Sequence, residues 1–345
     1  MSLQPAEIPL GAMRLNSDST KLEYWNGSAW FQIHTFSPNL DGGARGLFMG
    51  GSTGSQVTPI DFITISTFGN AQDFGDRIQS GEGGHFASRT RAVCGGASAP
   101  TYTNTVDFVT ISSTGDATDF GDKTTQNARA SGCSNATRGI LAGGFKAPQA
   151  SDVIDFCTIA TTGNFQDFGD LLGNREAPAG NLNSPTRAIW ASGDVDGAGN
   201  FSNSISYVTI ATTGNAQEFG GLLEIFFGGS GLSSATRGLI GGGYNPGSPQ
   251  AASTAINVIQ SISISSGGNT TDFGDLVSNQ EARYNVGSCT DCVRGIFAGG
   301  THSGGRTNII GAVNLASEGN AVKFGDLTAN KSFFGGTSNG HGGLG

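Results

Sequence analysis

The sequence predicts an all-β protein whose main part is a six-bladed β-propeller closed by a C-terminal strand. Three observations predict this fold. A tetrapeptide with Phe-Gly at its centre recurs six times, an arginine followed by an apolar run recurs in the same rhythm, and glycine supplies 57 of the 345 residues. So much glycine among short apolar runs is typical of a β protein with many turns. We expect residues 37–345 to form the propeller and residues 1–36 to form a short β-hairpin segment.

The repeated tetrapeptide defines the blades. It reads DFGD at 73–76, 119–122, 167–170 and 272–275, EFGG at 218–221 and KFGD at 323–326, so the copies are 46 to 54 residues apart. A residue that recurs in every blade serves the blade, and we predict that the repeated phenylalanine fills the space between neighbouring sheets. Its six copies are Phe74, Phe120, Phe168, Phe219, Phe273 and Phe324.

The tripeptide Asp-Phe-Gly also occurs in protein kinases, where the aspartate binds a catalytic magnesium ion. A kinase further requires a Gly-rich loop, a strand lysine and a His-Arg-Asp catalytic loop. None of these can be identified in this sequence. We therefore predict that Asp167 belongs to a blade and that the protein binds no cofactor.

Each repeat is predicted to supply about four strands. An arginine opens the second strand, as in RGILAGG, and an Ile- and Thr-rich third strand ends at Gly plus Asn or Asp, as in DFVTISSTGD. The third strand is expected to enter a tight hairpin. Four strands in about 50 residues fit one propeller blade. We predict that the arginines bind the repeated aspartates of their own or the next blade; they are Arg45, Arg91, Arg138, Arg187, Arg237 and Arg294.

The two ends of the repeat region are predicted to complete one blade together. The first repeat starts at its second strand, whereas the C-terminal stretch TANKSFFGGTSNGHGGLG is in phase with a first strand of the third repeat. Pairing of these two parts would remove an open sheet edge, which is otherwise a site for unwanted strand pairing.

The order of a basic residue, an apolar strand, a double glycine and a strand pair resembles kelch-type repeats over residues 37–345. The resemblance implies a propeller fold, and function does not follow from the fold alone. Kelch repeats carry a Tyr and a Trp late in each repeat, where this chain has the repeated phenylalanine.

The N-terminal segment lies outside the repeats. Asn26-Gly27 predicts a hairpin between LEYW and AWF. Because an isolated hairpin is marginally stable in water, we expect its aromatic side chains to pack on the propeller or on another chain. The predicted assembly residues are Tyr24, Trp25, Trp30 and Phe31.

The same segment resembles a short module near the ends of bacteriophage tail-fibre and other virion proteins. The matching positions are Gly11, Arg14, Asn16, Leu22, Glu23, Trp25, Asn26, Gly27 and Trp30. The resemblance implies trimerisation or attachment within a virion. A Gly- and Thr-rich propeller of low charge also resembles structural proteins of marine cyanobacterial phages.

From these resemblances we expect a non-enzymatic virion structural protein of a tail, fibre or baseplate. Other virion proteins are the expected partners, with a homo-oligomer such as a trimer, and the propeller would contact a host-surface glycan or protein. Three alternatives stay open: a capsid decoration protein, a carbohydrate-active, sialidase-like enzyme on the same fold, and a cellular kelch-type interaction protein. Sialidases use a cluster of arginines, whereas the arginines here follow the repeat and the Ser-x-Asp-x-Gly-x-x-Trp box is absent.

Binding residues concentrate on loops held by a rigid scaffold, and the longest loops after the second strand belong to the fourth and fifth repeats, at 194–204 and 244–257. They are the best-placed candidate contact loops, but the low cost of lengthening a loop favours the interpretation that both are solvated insertions. The candidate contact residues are Asp194, Asp196, Asn200, Asn203, Tyr244, Asn245 and Gln250.

Charge and motif content exclude several other functions. The net charge of −9 disfavours nucleic acid and anionic membranes as partners, and no apolar run is long enough to span a bilayer. The four histidines have no metal-ligand spacing, and Cys289 and Cys292 form a single C-x-x-C without the second pair of a zinc site. A metal or redox role for this cysteine pair stays open.

Overall fold

The computed structural model describes residues 8–16, 21–32, 43–197, 199–245, 255–277 and 282–344. The chain divides into two compact units, Met1–Gly42 and Gly43–Gly345. Within the described residues both units are built from β-strands, and the only helical element is a short 3-10 turn at Gly342–Leu344. No described helix has the length and apolar character needed to cross a membrane.

The N-terminal unit contains an antiparallel sheet of three strands, β1 (Met13–Asn16), β2 (Lys21–Trp25) and β3 (Trp30–Gln32), in the order β1-β2-β3. The hairpin at Asn26-Gly27 forms, but its loop has four residues, because Trp25 pairs with Trp30. The Asn26 side chain explains this: its Oδ1 accepts the backbone N–H groups of Ser28 and Ala29 at 2.9 and 2.8 Å.

In its described residues the second unit contains six antiparallel sheets of four or five strands and one separate two-stranded hairpin. Sheet 1 pairs the last strand with the first three: β30 (Gly335–Ser338), β4 (Arg45–Met49), β5 (Pro59–Thr64) and β6 (Gln72–Asp76). Sheet 2 contains β7 (Gly84–Ala87), β8 (Arg91–Ala97), β9 (Thr103–Thr110) and β10 (Thr118–Asp122). Sheet 3 contains β11 (Ser131–Ser134), β12 (Arg138–Ala142), β14 (Gln149–Thr158) and β15 (Gln166–Arg175), with the short β13 (Phe145–Lys146) beside β14.

The remaining sheets follow the same plan. Sheet 4 contains β16 (Ala179–Asn183), β17 (Arg187–Ala191), β18 (Ser204–Thr209) and β19 (Gln217–Gly221). Sheet 5 contains β20 (Ser230–Ser233), β21 (Arg237–Gly241), β22 (Val258–Ser263) and β23 (Thr271–Asp275). Sheet 6 contains β24 (Gly287–Thr290), β25 (Arg294–Ala298), β28 (Ile309–Asn314) and β29 (Val322–Asp326); a separate hairpin pairs β26 (Thr301–His302) with β27 (Gly305–Arg306).

The apolar core lies between the sheets. Six clusters of buried side chains each draw on two neighbouring sheets, and sheet 6 shares its last cluster with sheet 1. Each cluster contains one repeated phenylalanine with 2 to 7% of its surface exposed. These rings therefore contribute a large part of the apolar area buried between sheets.

The glycine of the tetrapeptide allows neighbouring sheets to approach closely. The residue before it accepts a backbone hydrogen bond from the turn glycine of the next sheet, as Phe74 O does from Gly115 N at 2.7 Å and Phe324 O does from Gly69 N at 3.1 Å. A Cβ added at Gly325 would lie 2.0 Å from the carbonyl oxygen of Gly69. The contact thus leaves no space for a side chain at this position.

The repeated arginines bind backbone carbonyls, so the prediction that they bind the repeated aspartates is wrong. In each case Nη1 donates to an Ile or Leu carbonyl of the next sheet at 2.5 to 2.9 Å, beginning with Arg45 to Ile111 and ending with Arg294 to Ile65. The reason is position. The arginine is the first residue of the second strand, at the sheet end where the next sheet has its turn between third and fourth strands. The carbonyl that accepts its hydrogen bond belongs to the first residue of that turn.

Sheets 1 and 2 also contain buried charge pairs that could not be recognised in the sequence. The third-strand aspartates Asp61 and Asp107 pair with Lys331 and Arg77 at 3.0 and 3.2 Å, and all four side chains are at most 2% exposed. In sheet 3 the equivalent Asp155 accepts a hydrogen bond from Thr124 Oγ1 at 2.5 Å. Lys331, Arg77 and Thr124 belong to the linkers between sheets. Because separating a buried charge from its partner is costly, these contacts hold each linker against its sheet.

The segment after β30 covers the inner ends of several sheets. His341 Nε2 lies 2.8 Å from the carbonyl oxygen of Ala87 and 3.2 Å from Ser134 Oγ, and Arg89 Nη2 donates to the carbonyl oxygen of Leu344 at 2.8 Å. Burial lowers the pKa of His341 to about 4. Burial also lowers the pKa of His85 to about 3, with the Arg77 charge acting in the same direction.

These two histidines predict acid-sensitive stability. In the unfolded chain they take up protons near pH 6.5, whereas in the folded protein they stay neutral down to about pH 4 and 3. The free energy of unfolding should therefore fall as the pH drops below 6.5, by about 1.4 kcal/mol per pH unit for each histidine. Urea unfolding between pH 7 and 4.5 measures this slope, and a His341→Gln variant should show a shallower slope than the wild type. An unchanged slope in the variant would contradict the assignment to His341.

Candidate functional site

The connections between strands lie on two opposite faces of the second unit. Because successive strands are antiparallel, the loops after each second strand and the linkers between sheets share one end, which we call the linker face. The tight turns between third and fourth strands, at 65–71, 111–117, 159–165, 210–216, 264–270 and 315–321, lie at the other end, which we call the hairpin face.

A central cavity opens on the linker face. Together with the open space at its mouth it contains about 570 Å³ of empty space. Each sheet contributes to its lining the residue that stands two positions before its first strand. In sheets 2 to 6 and then sheet 1, these lining residues are Glu82, Arg129, Ala177, Gly228, Asn285 and Phe333.

This lining position differs from the repeated positions in an informative way. The tetrapeptide and the arginine keep nearly the same residue in every repeat, whereas the lining position has a different residue in all six. Arg129, Ala177, Asn285 and Phe333 also have positive φ angles, of 58°, 47°, 55° and 58° respectively. Residues other than glycine pay for this left-handed backbone conformation. The variation and the strain together mark a candidate site.

Arg129 is the centre of a charged cluster at the cavity. Its Nε donates to Glu82 and its Nη1 donates to Glu176. The two glutamate side chains are 5 and 6% exposed, whereas 29% of the Arg129 side chain is exposed. Burial raises the pKa of Glu176, and the bond from Arg129 opposes that effect. With both glutamates ionised the cluster has a net negative charge.

Asn285 adds a buried polar group without a partner. Its side chain lines the cavity, and the residue is 7% exposed. Within the described residues, Nδ2 makes no hydrogen bond. Buried amide groups in proteins are nearly always hydrogen-bonded. An unsatisfied donor at a cavity wall therefore indicates a position where a ligand or solvent atom would bind.

Four aromatic side chains form a cluster on the linker face, in segments next to the lining residues of sheets 5 and 6. Phe227 and Tyr284 directly precede the lining residues of sheets 5 and 6, and Phe201 and Tyr244 lie beside them. Their ring centroids are 6.1 Å apart for Phe201–Phe227, 6.2 Å for Phe201–Tyr244 and 5.3 Å for Tyr244–Tyr284. All four are partly exposed. We call this group the aromatic rim.

The comparisons with known proteins identify the fold. No protein-family model matches the sequence, and no curated protein matches it. Among solved structures it is similar to YjhT, with a TM-score of 0.60 at 11% sequence identity, over 74% of this chain and 86% of that chain. YjhT is a propeller, and this chain has the antiparallel four-stranded sheets that form the blades of such a fold. The fold is a β-propeller.

The candidate contact residues of the fourth repeat lie on the linker face of the propeller. Asp194 is only 6% exposed, and its carboxylate accepts the backbone N–H groups of Asp196, Gly197 and Gly199 at 2.8 to 3.2 Å. Asp196 in turn accepts a hydrogen bond from Asn200 Nδ2 at 2.5 Å. Asp194 thus shapes its own loop and has little surface to offer a partner.

Two of the other candidate contact residues make hydrogen bonds within the propeller, and a third packs against aromatic rings. The carbonyl oxygen of Asn203 accepts the N–H of Leu222 at 2.9 Å, and Asn245 Nδ2 donates to the carbonyl oxygen of Ile225 at 2.8 Å. Tyr244 belongs to the aromatic rim. Gln250 lies outside the described residues.

The predicted assembly residues lie on opposite faces of the N-terminal sheet. Trp25 is 7% exposed, and its ring centroid lies 5.6 Å from that of Trp30. Tyr24 and Phe31 point to the other face and are 40 and 48% exposed. There they join three residues that the sequence analysis missed, and together they form an exposed apolar face. Its members are Met13, Leu15, Leu22, Tyr24 and Phe31.

The cysteines give no sign of a reactive centre. All five are free, and Cys289 is buried within the cluster between sheets 6 and 1. Burial raises the pKa of the Cys289 thiol well above its usual value and that of Cys292 to about 11. Both thiols are therefore protonated at neutral pH and weakly nucleophilic. Among the described residues, no group of three or more His, Cys, Asp or Glu side chains could hold a metal ion.

Sequence reasoning missed the central cavity, although a signal for it was present. Aligning the six repeats on their first strands would have shown one position with six different residues beside nearly constant ones. The loop lengths directed attention to residues 194–204 and 244–257 instead. These loops do share the linker face with the cavity, and Tyr244 connects the two features through the aromatic rim.

Proposed function

We propose that this protein is a non-enzymatic structural component of a bacteriophage virion, in which the N-terminal unit mediates assembly and the propeller presents its linker face to a host surface or a neighbouring virion protein. The exposed apolar face on the N-terminal sheet carries the proposal. A soluble protein seldom leaves such a face uncovered without a binding partner, and the same strands contain the residues that resemble the tail-fibre module.

We further infer that the propeller has six blades in a closed ring. Its support is the cyclic order of the contacts. Every pair of neighbouring sheets shares an apolar cluster and an arginine-to-carbonyl bond, and Arg294 of sheet 6 bonds to Ile65 of sheet 1. Strand β30 pairs with β4, with Gly335 opposite Met49. A closed ring of this kind has no free sheet edge at its seam.

The assembly role predicts a defined oligomer. We expect the full chain to form a homo-oligomer, with a trimer as the arrangement implied by the module, and the double variant Tyr24→Ser/Phe31→Ser to shift it to the monomer. Two polar residues at the centre of an apolar interface remove buried area and leave hydroxyl groups desolvated. Light scattering coupled to size-exclusion chromatography measures the mass of each form.

The matched control is Leu223→Ser on the propeller, since Leu223 is 55% exposed and lies in the other unit. This variant should keep the oligomeric state of the wild type. A monomeric wild-type chain, or a double variant that assembles as the wild type does, would contradict assembly through the apolar face.

The virion location has its own test. Gold-labelled antibodies against the propeller should bind intact particles at the tail, fibre or baseplate. Labelling spread over the head would favour the alternative of a capsid decoration protein. Absence from particles, or a gene among those of cellular metabolism, would contradict the virion role.

One observation favours the carbohydrate-active enzyme as a second candidate. Glu82 lines the central cavity and Glu176 is bound to the lining residue Arg129, and two carboxylates can serve as acid and base in glycoside hydrolysis. Here both are bound to the same arginine, an arrangement that holds them as a rigid ionic group. Release of sugar from a panel of glycans would support the enzyme, and loss of that release in a Glu176→Gln variant would locate it.

A further inference from the structure

We propose that the central cavity binds the terminal residue of a neutral saccharide. The inference rests on the proposed function, because it gives the host-surface contact a ligand class, and it names the six lining residues, the charged cluster and the aromatic rim as the binding site.

The polar groups of the cavity require a ligand that both donates and accepts hydrogen bonds. Asn285 Nδ2 is a buried donor without a partner. Arg129 is partly exposed, and within the described residues its Nη2 makes no hydrogen bond while Nε and Nη1 are occupied by the glutamates. Glu176 has a second carboxylate oxygen that can accept. A hydroxyl group meets both needs, because it is a donor and an acceptor at once.

The charge of the cluster selects against ionic ligands. Two carboxylates surround one guanidinium, and Asp194 adds a further negative charge close enough to raise the pKa of Glu176. An anionic ligand such as a sialylated or sulfated sugar would be repelled by this excess of negative charge. A cation would be repelled by the positive charge of the partly exposed Arg129 guanidinium. A neutral, hydroxyl-rich molecule avoids both penalties.

The shape and the rim favour a ring-shaped ligand with an apolar face. The cavity is a concave site lined by residues of all six sheets, which suits a small ligand rather than a protein surface. The aromatic rim offers partly exposed rings on the linker face, where Phe227 and Tyr284 directly precede two lining residues, and Phe333 itself belongs to the lining. The C–H face of a pyranose can pack on such rings while its hydroxyl groups reach the polar cluster.

The test uses the full chain on an array of neutral mono- and oligosaccharides, each matched with a sialylated or sulfated counterpart, followed by calorimetric titration of the best neutral ligand. We expect binding to neutral saccharides only. Asn285→Asp should weaken it by about tenfold or more, since the substitution replaces the unpartnered donor with a negatively charged acceptor. Tyr284→Ala should weaken it to a similar extent.

Two control variants keep the test interpretable. Asn164→Asp introduces the same charge change as Asn285→Asp but keeps the side-chain oxygen that accepts a backbone hydrogen bond, since Asp116 does this at the equivalent turn of sheet 2. Phe68→Ala removes a 52% exposed ring on the hairpin face. Both should bind as the wild type does. Thermal unfolding of every variant shows whether a loss of binding reflects loss of fold.

The outcomes separate this inference from the proposed function. Preference for acidic saccharides, unchanged affinity in Asn285→Asp, or no saccharide binding by a chain that is present in particles would overturn the inference alone. Neutral-saccharide binding by a chain absent from particles would support the inference and overturn the virion role. Hydrolysis of the bound saccharide would support the ligand class and contradict the non-enzymatic assignment.

Discussion

Replacing Asp107 with leucine is expected to destabilise the propeller by about 3–5 kcal/mol. Asp107 Oδ1 lies 3.2 Å from Arg77 Nε, and the two side chains are 1 and 0% exposed. Asp107 Oδ2 also accepts the backbone N–H of Ile78 at 3.1 Å. Without the carboxylate, the guanidinium of Arg77 would stay buried with only the carbonyl oxygens of Gly81 and Gly96 as partners. The buried positive charge would then be uncompensated.

The double variant Arg77→Met/Asp107→Leu provides the comparison. An apolar pair of similar volume removes both charges, and such replacements are often neutral or stabilising. We therefore expect the double variant to recover most of the stability lost in Asp107→Leu. Guanidinium chloride unfolding of the three proteins measures this. A single variant as stable as the wild type would show that the pair is not buried as described.

Replacing Gly325 with alanine is expected to cost about 3 kcal/mol, at the upper end of the usual range for overpacking. The added Cβ would lie 2.0 Å from the carbonyl oxygen of Gly69 and 2.5 Å from its carbonyl carbon. Both are backbone atoms, so no side-chain rotation can relieve the contact. Relief would require sheet 6 to move away from sheet 1, which would weaken the hydrogen bond from Gly69 N to Phe324 O.

The partner glycine supplies a matched control for the same contact. A Cβ at Gly69 would meet no atom within 4 Å, so Gly69→Ala should change the free energy of unfolding by less than about 0.5 kcal/mol. Urea unfolding measures both variants. Since Gly325 and Gly69 belong to the last and the first sheet, equal stability of the two variants would argue against contact between these sheets and hence against a closed ring.

Much of the fold followed from the repeat. Strand content and hairpin positions were predictable because each depends on a few adjacent residues, such as the Ile- and Thr-rich run that ends at Gly-Asn before Phe165. The turn residues Asp116 and Asn164 have the same local role, and each also accepts a backbone hydrogen bond from the preceding sheet. That second role could not be predicted from local sequence.

The partners of the arginines illustrate the same limit. Arg45 was correctly placed at the start of a second strand, yet its acceptor was wrong. A guanidinium can bind a carboxylate or a carbonyl with similar ease, and which of them is within reach depends on a sheet that begins about 40 residues later. For Asp61 and Asp107 the sequence predicted no partner at all. In the structure each is the buried acidic member of an ion pair.

The sequence by itself determined the repeat, the strand order within each sheet and the hairpin of the N-terminal unit, because spacing and turn chemistry are local properties. Only the tertiary structure decided the candidate site. Glu82, Arg129 and Glu176 are successively 47 residues apart in the chain and become neighbours when consecutive sheets pack side by side. Their burial, their shared charge and the unpartnered amide of Asn285 are properties of that packing, since desolvation depends on which other parts of the chain exclude water.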